Sequence, residues 1–486
     1  MSPAAAAAAT PVLPRGGRHF ARRFSGGITP TLSSQITRAG GGRRWFEAQL
    51  TPSRIRDGRG ADINTWFPSL KRSPEEIFQR QKADVEGSWE VMWDLSRWTV
   101  ARRIHSTRQV QELMVEFWSN LLHVPLGHDT AAFHRVSYDG VIRKYALTSF
   151  EDLLLHTTVH PAMGLYLDNA SSTKAAPNEN LGRELLELHT VGVDAGYTEA
   201  DVKASSRILT GYRSTVWWPR FETFYDPAAH ATGAVSVLGF QHANTAADGR
   251  AVTAAYLSYL ARHPATARRI ARRLCVRFVK DNPSASLVNR VAKAYSDHGT
   301  AIKPTLLAMV DHPEFAASAG AKVRTPIDDY VATVRALGIR LKPPVNGDSF
   351  VNAMYWQYRD AGQAPYEWPA PNGFPEVNAA WTSTGRILSS LVVHRNLAAK
   401  WWPTKDAAFR SKGDLLPRLP ATVEHVIDHV ALQVLGQKPN AAVSRGIATI
   451  LGWPLSHRLT ASEAQRYWTL PRIVTSLLDS PLHLHR

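Results

Sequence analysis

Apolar residues recur at helical spacing along almost the whole chain. The stretch ATARRIARRLCVRFV, residues 265–279, is the clearest example, because its apolar positions follow the i, i+3, i+4, i+7 pattern that places them on one face of an α-helix. Such a face must be buried against other elements, so we predict a mainly α fold, a large multi-helix globular array. The apolar face of this segment comprises Ala267, Ile270, Ala271, Leu274, Cys275 and Phe278.

One region departs from helical spacing. The segment GYRSTVWWPRFETFYDPAAHATGAVSVLGFQH, residues 211–242, is aromatic, β-branched and punctuated by glycine, which is typical of strands and tight turns. We therefore predict a short β-hairpin and loop near 211–242. The stretches 341–348 and 364–376 are rich in proline and are expected to be loops.

A repeated junction predicts where several helices begin. Each junction follows an apolar helical run and places a proline where the next helix would start, because proline suits the first helical turn but disfavours helix in the residue before it. The residues before these prolines are therefore interpreted as junction residues rather than metal ligands or catalytic groups. They are His160, His263, His312 and Ser480.

The length of 486 residues suggests more than one folding unit. We expect residues 1–16 to form a disordered tail and 17–486 to form a single large helical unit, with two lobes, about 17–340 and 341–486, as the alternative. The sequence lacks an apolar run of the roughly 18 residues that span a bilayer, and it shows no clear signal peptide. The localisation is left open, with the cytoplasm as the expectation from sequence. A lone cysteine excludes an internal disulfide framework.

The chain carries a formal net charge of +16, and its first 60 residues hold ten arginines against Glu47 and Asp57. Positive charge of this size favours anionic polymers or acidic partners, but no nucleic-acid-binding motif is present, so no specific nucleic acid is expected. A second group of arginines lies opposite the apolar face of 265–279. A solvated surface is the expected role of this group, with contact to an anionic partner as the alternative. Its members are Arg268, Arg269, Arg272 and Arg273.

The segment NENLGRELLELHTVGVDAGYTEADV, residues 178–202, has the most ordered pattern of polar groups. Glu179, Arg183 and Glu187 lie four residues apart, a spacing that stabilises a helix through ion pairs. Gly192 is expected to end this helix, and Thr198 with Asp201 forms a capping box for the next one. Structural clamping between two helices therefore explains most of the segment.

Two features exceed what a helix clamp requires: the two asparagines that flank Glu179, and the neighbouring carboxylates Glu184 and Glu187. We therefore keep a functional pocket as an alternative, closed by the loop 367–374. A metal site is a weaker alternative, because His189 stands at the wrong offset for a Glu-x-x-His pair. The candidate pocket residues are Asp168, Asn178, Glu179, Asn180, Arg183, Glu184, Glu187 and Tyr197.

The stretch VEHVIDHV, residues 423–430, is a weak metal candidate. His425 and His429 are one helical turn apart with Asp428 between them, which is similar to the His-x-x-Glu-His pattern of some zinc peptidases, but no third ligand is evident. Two surface histidines on an amphipathic helix are the expected interpretation. The sequence also lacks a Gly-x-Ser-x-Gly nucleophile motif, a phosphate-binding loop and a dinucleotide fingerprint, so no common enzyme class is indicated.

The stretch HPAMGLYLDNASSTKAAPNENLGRELLELHTVGVDAGYTEADVKASSRILTGY closely resembles the signature of the bacterial domain-of-unknown-function 1800 family. The similarity extends over nearly the whole chain and implies a helical protein without an established activity, so the resemblance assigns no catalytic residues and leaves any cofactor unknown. It implies one partner, a protein of an exported, sulfatase- or phosphatase-like family of unknown function encoded beside it. The resembling segments are 19–32, 114–122, 160–212, 224–240, 263–279, 321–338 and 371–388.

The chain departs from the family pattern at four positions. The family often has Trp-His-Asn-His-Phe where this chain has Ser119 and Leu121 in place of the two histidines, and His-Asp-x-Gly-x-Lys where it has Ala231 and Val235 in place of Asp and Lys. If those residues perform chemistry in the family, this member has lost it.

Three functional hypotheses follow from the sequence. The first is a non-enzymatic scaffold that binds a partner protein through its basic surface or its proline-rich loops. The second is an enzyme of unknown class that uses the polar pocket of 178–202. The third and weaker hypothesis is a binder of an anionic polymer through the arginine-rich N-terminal region.

Overall fold

A computed structural model describes residues 12–217 and 220–486. In this part of the chain 59% of the residues are helical, in 25 α-helices with only small two-stranded sheets, which confirms the mainly α prediction. The predicted tail, 1–16, lies mostly outside the described residues, and the first helix begins at Arg15. Within the described ranges, no helix combines the length and the apolar character needed to cross a membrane.

The N-terminal half of the fold contains 12 α-helices before the first strand. They are α1 (Arg15–Phe24), α2 (Pro30–Arg38), α3 (Gly42–Gln49), α4 (Gly58–Ile63), α5 (Pro74–Lys82), α6 (Ser88–His105), α7 (Gln109–Leu121), α8 (Ala132–Tyr145), α9 (Phe150–Thr158), α10 (Pro161–Tyr166), α11 (Glu179–Glu184) and α12 (Glu199–Ile208).

The remaining helices follow the hairpin region. They are α13 (Arg250–Arg262), α14 (Pro264–Phe278), α15 (Ala285–Asp297), α16 (Ile302–Val310), α17 (Pro313–Ala317), α18 (Pro326–Ala336), α19 (Phe350–Asp360), α20 (Thr384–Ala399), α21 (Val423–Leu435), α22 (Ala441–Leu451), α23 (Ala461–Gln465), α24 (Thr469–Leu478) and α25 (Pro481–Leu484).

The predicted β excursion is present as two small antiparallel pairs. Strand β1 (Tyr212–Trp217) pairs with β2 (Arg220–Tyr225), and β3 (Val235–Val237) pairs with β4 (Phe240–His242). Two short pairs between distant segments were not expected from the sequence, because two residues carry no periodic signal. These are β5 (Arg340–Leu341) with β6 (Ala407–Ala408), and β7 (Ala421–Thr422) with β8 (Arg458–Leu459).

The predicted junction histidines act as helix caps. His160, His263 and His312 each precede a proline, and each accepts a hydrogen bond at Nδ1 from a backbone N–H two residues later, at 3.2 Å in all three cases. These contacts satisfy donors that a helix N-terminus otherwise leaves free. Ser480 also begins a helix, but its side chain makes no cap hydrogen bond.

The buried apolar side chains form two large clusters and a smaller one. The first cluster draws on residues 13–315, and the second combines residues 63–104 with 327–478. The second core therefore begins before residue 341 and recruits α4 and α6 from the N-terminal part of the chain. The division into two lobes at about residue 340 stays a prediction.

A buried ion cluster joins the helices of the two large cores. Asp328 on α18 is bound by Arg103 of α6, by Arg277 of α14 at 3.1 Å, and by Arg486 at 2.9 Å. Glu116 of α7 pairs with both Arg103 and Arg277, at 3.2 and 3.0 Å. Burial alone would raise the pKa of Asp328, but the surrounding arginines hold it well below its ordinary value.

Replacing Asp328 with alanine should lower the free energy of unfolding by about 3–5 kcal/mol, because several buried guanidinium groups would lose their counter-charge. Chemical denaturation measures this change. The control is Asp348→Ala, which removes an exposed ion pair with Lys405 and should leave the midpoint unchanged. Equal effects of the two substitutions would show that the Asp328 cluster does not tie the cores together.

Candidate functional site

The segment 178–202 folds as two capped helices joined by irregular turns. Asn178 accepts a hydrogen bond from the N–H of Asn180 at 2.9 Å and so caps α11. After Glu184 the helix widens into a single π-helical turn, Leu185–His189. The predicted capping box of Thr198 and Asp201 opens α12. A π-helical turn leaves carbonyl groups displaced from the regular ladder and often marks a functional site.

The structure places three of the predicted pocket residues, Glu179, Arg183 and Glu187, in a partly exposed ion ladder. Arg183 binds both oxygens of Glu199 on α12, at 2.7 and 2.8 Å, and also contacts Glu179 at 3.3 Å and Glu187 at 4.0 Å. About a third of the Arg183 side chain is exposed. This ladder clamps α11 to α12, which is the structural role that the sequence predicts for most of the segment. Exposed ion pairs of this kind each contribute little stability.

The remaining pocket candidates lie at the edges of the ladder. The side-chain amide of Asn180 donates to the exposed Asp168 at 3.3 Å. Burial and a hydrogen bond with Glu187 raise the pKa of Tyr197 to about 12. These contacts are consistent with a clamp and do not by themselves enclose a ligand.

Glu184 stands apart from the ladder. It makes no hydrogen bond or ion pair within 4 Å to the described residues, and burial, with the nearby Glu187, raises its pKa. Tyr166 lies close enough that burial and the Glu184 carboxylate raise its pKa to about 12. Tyr166 donates a hydrogen bond to the carbonyl of Pro369 at 3.3 Å, so Glu184 lies near the proline-rich loop.

A cavity lies at the other end of the 178–202 segment. It is enclosed by the turn 191–195, the basic face of α14 and the loop 368–376, and we call it the arginine cleft. Its volume of about 750 Å³ is in the range of small-molecule sites. The polar and charged side chains that line it are Asp194, Arg268, Arg269, Arg272, Arg273, Trp368, Asn372 and Glu376.

None of the four arginine side chains in the cleft forms an ion pair within 4 Å with a described residue. Arg269 donates to the carbonyl of Leu188 in the π-helical turn at 3.0 Å, and Arg268 donates to Asn289 at 3.3 Å. Arg272 and Arg273 make no hydrogen bond or ion pair within 4 Å to any described residue. Burial and the field of Arg273 lower the pKa of Arg269 to about 10. The expected solvated face of α14 is therefore only partly solvated, because Arg269 and Arg273 are half-buried.

Two carboxyl groups line the cleft beside these arginines, those of Asp194 and Glu376. Glu376 is half-buried, and its Oε1 atom has no hydrogen-bond partner in the described residues. Burial raises its pKa, although Arg273 and Arg277 oppose that effect. A carboxyl group with a raised pKa in a cavity can exchange a proton with a ligand.

The loop that forms one wall of the arginine cleft is held in place by hydrogen bonds from residues that precede and follow it in the chain. His123 donates to the carbonyl of Trp368 at 2.7 Å, and Trp381 donates to the carbonyl of Pro375 at 2.8 Å. Gly373 has a φ of +66°, and a Cβ atom there would lie 2.2 Å from the carbonyl oxygen of Asn120. Only glycine fits this position. The wall is therefore formed before any ligand binds.

His189 lies beneath the arginine cleft at the end of the π-helical turn. Its side chain is fully buried, and neither ring nitrogen has a hydrogen-bond partner in the described structure. Burial, and then the charges of Arg269 and Arg273, lower its pKa to about 3. The ring is therefore neutral in the folded protein across the physiological range.

The weak metal candidates on α21 do not converge. The rings of His425 and His429 are 6.5 Å apart, and the carboxylate of Asp428 is bound to Lys438 at 2.7 Å. The four positions that depart from the family pattern are all buried, and two of them lie in α7 beside the contacts that hold the cleft loop. They are Ser119, Leu121, Ala231 and Val235.

The sequence model of proteins of unknown function called DUF1800 matches residues 19–484. The chain belongs to the DUF1800 family. This match confirms the resemblance drawn from the 160–212 signature. No curated protein and no solved structure matches the chain. Membership places the arginine cleft in a family without an assigned reaction, so its function has to be argued from geometry.

Sequence reasoning found the 178–202 segment and the closing loop but did not connect either to α14. Arg272 lies on the face of α14 that the sequence predicts to be solvated, and Glu376 is not among the predicted pocket residues. Two features of the sequence could have indicated the cleft: four arginines at i, i+1, i+4 and i+5 on one helix, and a proline-rich loop. A single sequence does not show that these two elements, about 100 residues apart, are in contact, because periodicity reports only local structure.

The buried His189 predicts a pH dependence of stability. Its folded-state pKa of about 3 lies below its unfolded value of about 6.5. The stability that it contributes is therefore present above pH 6.5 and is lost as the pH falls towards 3. In His189→Phe, the slope of unfolding free energy against pH near pH 5 should be smaller by about 1.4 kcal/mol per pH unit. Denaturant unfolding between pH 4.5 and 7, a range set by these pKa values, measures the slope. Parallel curves for the two proteins would contradict the prediction.

Proposed function

We propose that this DUF1800 protein is a non-enzymatic, partner-binding helical protein that receives an acidic segment of another protein in the arginine cleft. The observation that carries the proposal is the pair Arg272 and Arg273, which line a preformed cavity and form no ion pair within 4 Å with a described residue. The cleft combines the two features that the scaffold hypothesis invoked, a basic surface and a proline-rich loop.

The charge arrangement favours a ligand with more than one negative group. Four guanidinium groups lie close together on two turns of α14, and two of them are half-buried. Holding like charges together in partly desolvated surroundings costs free energy that a bound anion offsets. Guanidinium groups bind carboxylates through two parallel hydrogen bonds, which gives both affinity and orientation.

The lining of the cleft favours a peptide segment over a small anion. Apolar and aromatic groups stand beside the arginines, including Val193, Val276, Trp368 and Phe374. A carboxylate alone would leave this apolar surface and most of the 750 Å³ volume unused. A segment in which acidic and apolar side chains alternate would engage both kinds of wall. The exported sulfatase- or phosphatase-like family that the resemblance implies as a partner is the first place to look for such a segment.

A synthetic peptide of alternating Glu and Leu should bind the protein and change the fluorescence of Trp368. The double substitution Arg272→Ala/Arg273→Ala should weaken binding at least about tenfold, since each lost charged pair contributes on the order of 1.4 kcal/mol. Fluorescence titration at fixed ionic strength measures the affinity.

The matched control is Arg418→Ala/Arg445→Ala, which removes the same charge from exposed arginines outside the cleft. This control should bind like the wild type, and a peptide with Gln in place of Glu should not bind. If both double substitutions weaken binding equally, the peptide binds through non-specific charge attraction, and the proposal is wrong. Tighter binding of single-stranded DNA than of the peptide would support the anionic-polymer hypothesis instead.

A second candidate function, the enzyme hypothesis, is favoured by one observation: the unpaired, half-buried Glu184 with its raised pKa. A general acid requires such a shift. Carbon NMR of Glu-labelled protein, with the Glu184→Gln variant to assign the signal, should show Glu184 titrating above the ordinary pKa of a glutamate, about 4.3. Titration of Glu184 at or below that value would remove the support for an acid–base role.

A further inference from the structure

A cluster of three metal-binding side chains lies in the second core, away from the arginine cleft. Asp329 comes from α18, His394 from α20 and His483 from α25. All three side chains are buried, and their ligand atoms lie within 4.8 Å of one another. Among the described residues, this is the group of acidic and histidine side chains that meets such a distance. Buried ionisable groups from three separate helices rarely meet unless a proton or a cation links them.

The two imidazole rings point to the same oxygen atom. Oδ1 of Asp329 lies 3.2 Å from Nε2 of His394 and 3.1 Å from Nε2 of His483. Charge-assisted hydrogen bonds between nitrogen and a carboxylate are usually 2.7–2.9 Å long. The inner contacts are therefore longer than such bonds, although the outer contact of His394 with Asp479 is 2.8 Å.

These separations fit the edges of a zinc coordination polyhedron. Two donors bound to one tetrahedral zinc ion at about 2.0–2.1 Å lie about 3.3 Å apart. Thr333 stands one helical turn after Asp329 on α18, and its hydroxyl oxygen lies 3.0 Å from Nε2 of His483, which places a fourth polar atom beside the three donors. Two imidazole nitrogens with a carboxylate oxygen form a donor set that zinc binds well.

The surroundings of the cluster resemble the outer shell of a metal site. Nδ1 of His394 donates to Asp479, an arrangement that fixes the tautomer with Nε2 free to bind a metal. Arg386 approaches the other carboxylate oxygen of Asp329 at 3.5 Å and directs Oδ1 towards the histidines. The carboxylates of Asp329 and Asp479 supply two negative charges to the site and Arg386 one positive charge, so these three groups together favour a bound cation.

We propose that Asp329, His394 and His483 bind one zinc ion that ties α18, α20 and α25 together. The site is structural, because the donors are enclosed in the core and no described cavity of substrate size opens onto them. It is independent of the arginine cleft, so failure of either proposal leaves the other intact.

Metal analysis of the untagged full chain tests the proposal. Protein purified from zinc-supplemented medium should contain about one zinc ion per chain. After unfolding with guanidinium and a chelator, refolding with zinc alone should restore the ion and raise the melting temperature relative to refolding without metal. Cobalt added in place of zinc should give the visible absorption of a tetrahedral site.

Variants separate this site from adventitious binding. His483→Ala should reduce the zinc content to below about a tenth of the wild-type value, and Asp479→Asn should weaken zinc about tenfold in competition with a chromophoric chelator. The control His425→Ala/His429→Ala removes the exposed histidine pair and should keep the full content. If the His483→Ala variant fails to fold, the zinc content and the cobalt spectrum of the wild-type protein still test whether the site binds a metal.

Two results would overturn the proposal. The first is a wild-type protein that is isolated without metal and retains none on refolding, which would show that a protonated His394 links the carboxylates without a cation. The second is loss of the bound zinc in the His425→Ala/His429→Ala control, which would place the ion on α21.

Discussion

The carboxylate of Asp328 is the contact on which the arrangement of the core helices depends. It accepts hydrogen bonds from arginines of α6 and α14 and forms an ion pair with Arg486, all in the buried interior. Because a buried guanidinium group is costly without a counter-charge, the helices cannot move apart independently. Arg277 in the last turn of α14 is one of these partners, so the ion cluster also fixes the position of the helix that carries the arginine cleft.

The next residue on the same helix points in a different direction. Asp329 faces α20 and α25 and meets two histidines, whereas Asp328 faces α6 and α14. Two consecutive buried carboxylates thus bind different groups of helices around α18. These two adjacent carboxylates explain how a helix of 11 residues can hold together segments from both ends of the chain.

The arginine cleft results from three local irregularities that reinforce one another. The π-helical turn presents the carbonyl of Leu188 to Arg269, and the turn that follows forms one wall of the cleft. Gly373 lets the proline-rich loop approach the backbone of α7, and hydrogen bonds from His123 and Trp381 hold it there. Arg272 and Arg273 then face a rigid wall, which lowers the entropy cost of binding a ligand.

The sequence by itself determined the helical class, the hairpin near 211–242, the helix junctions at the prolines, the capping box at Thr198 and the family, because each depends on residues close together in the chain. The tertiary structure decided the rest. It showed that the Arg183 ladder clamps α11 to α12, that the face of Arg272 lines a cavity, and that Asp329, His394 and His483 meet. These depend on contacts between segments tens to hundreds of residues apart, and the periodicity of one sequence specifies which face of a helix is buried but not which partner buries it.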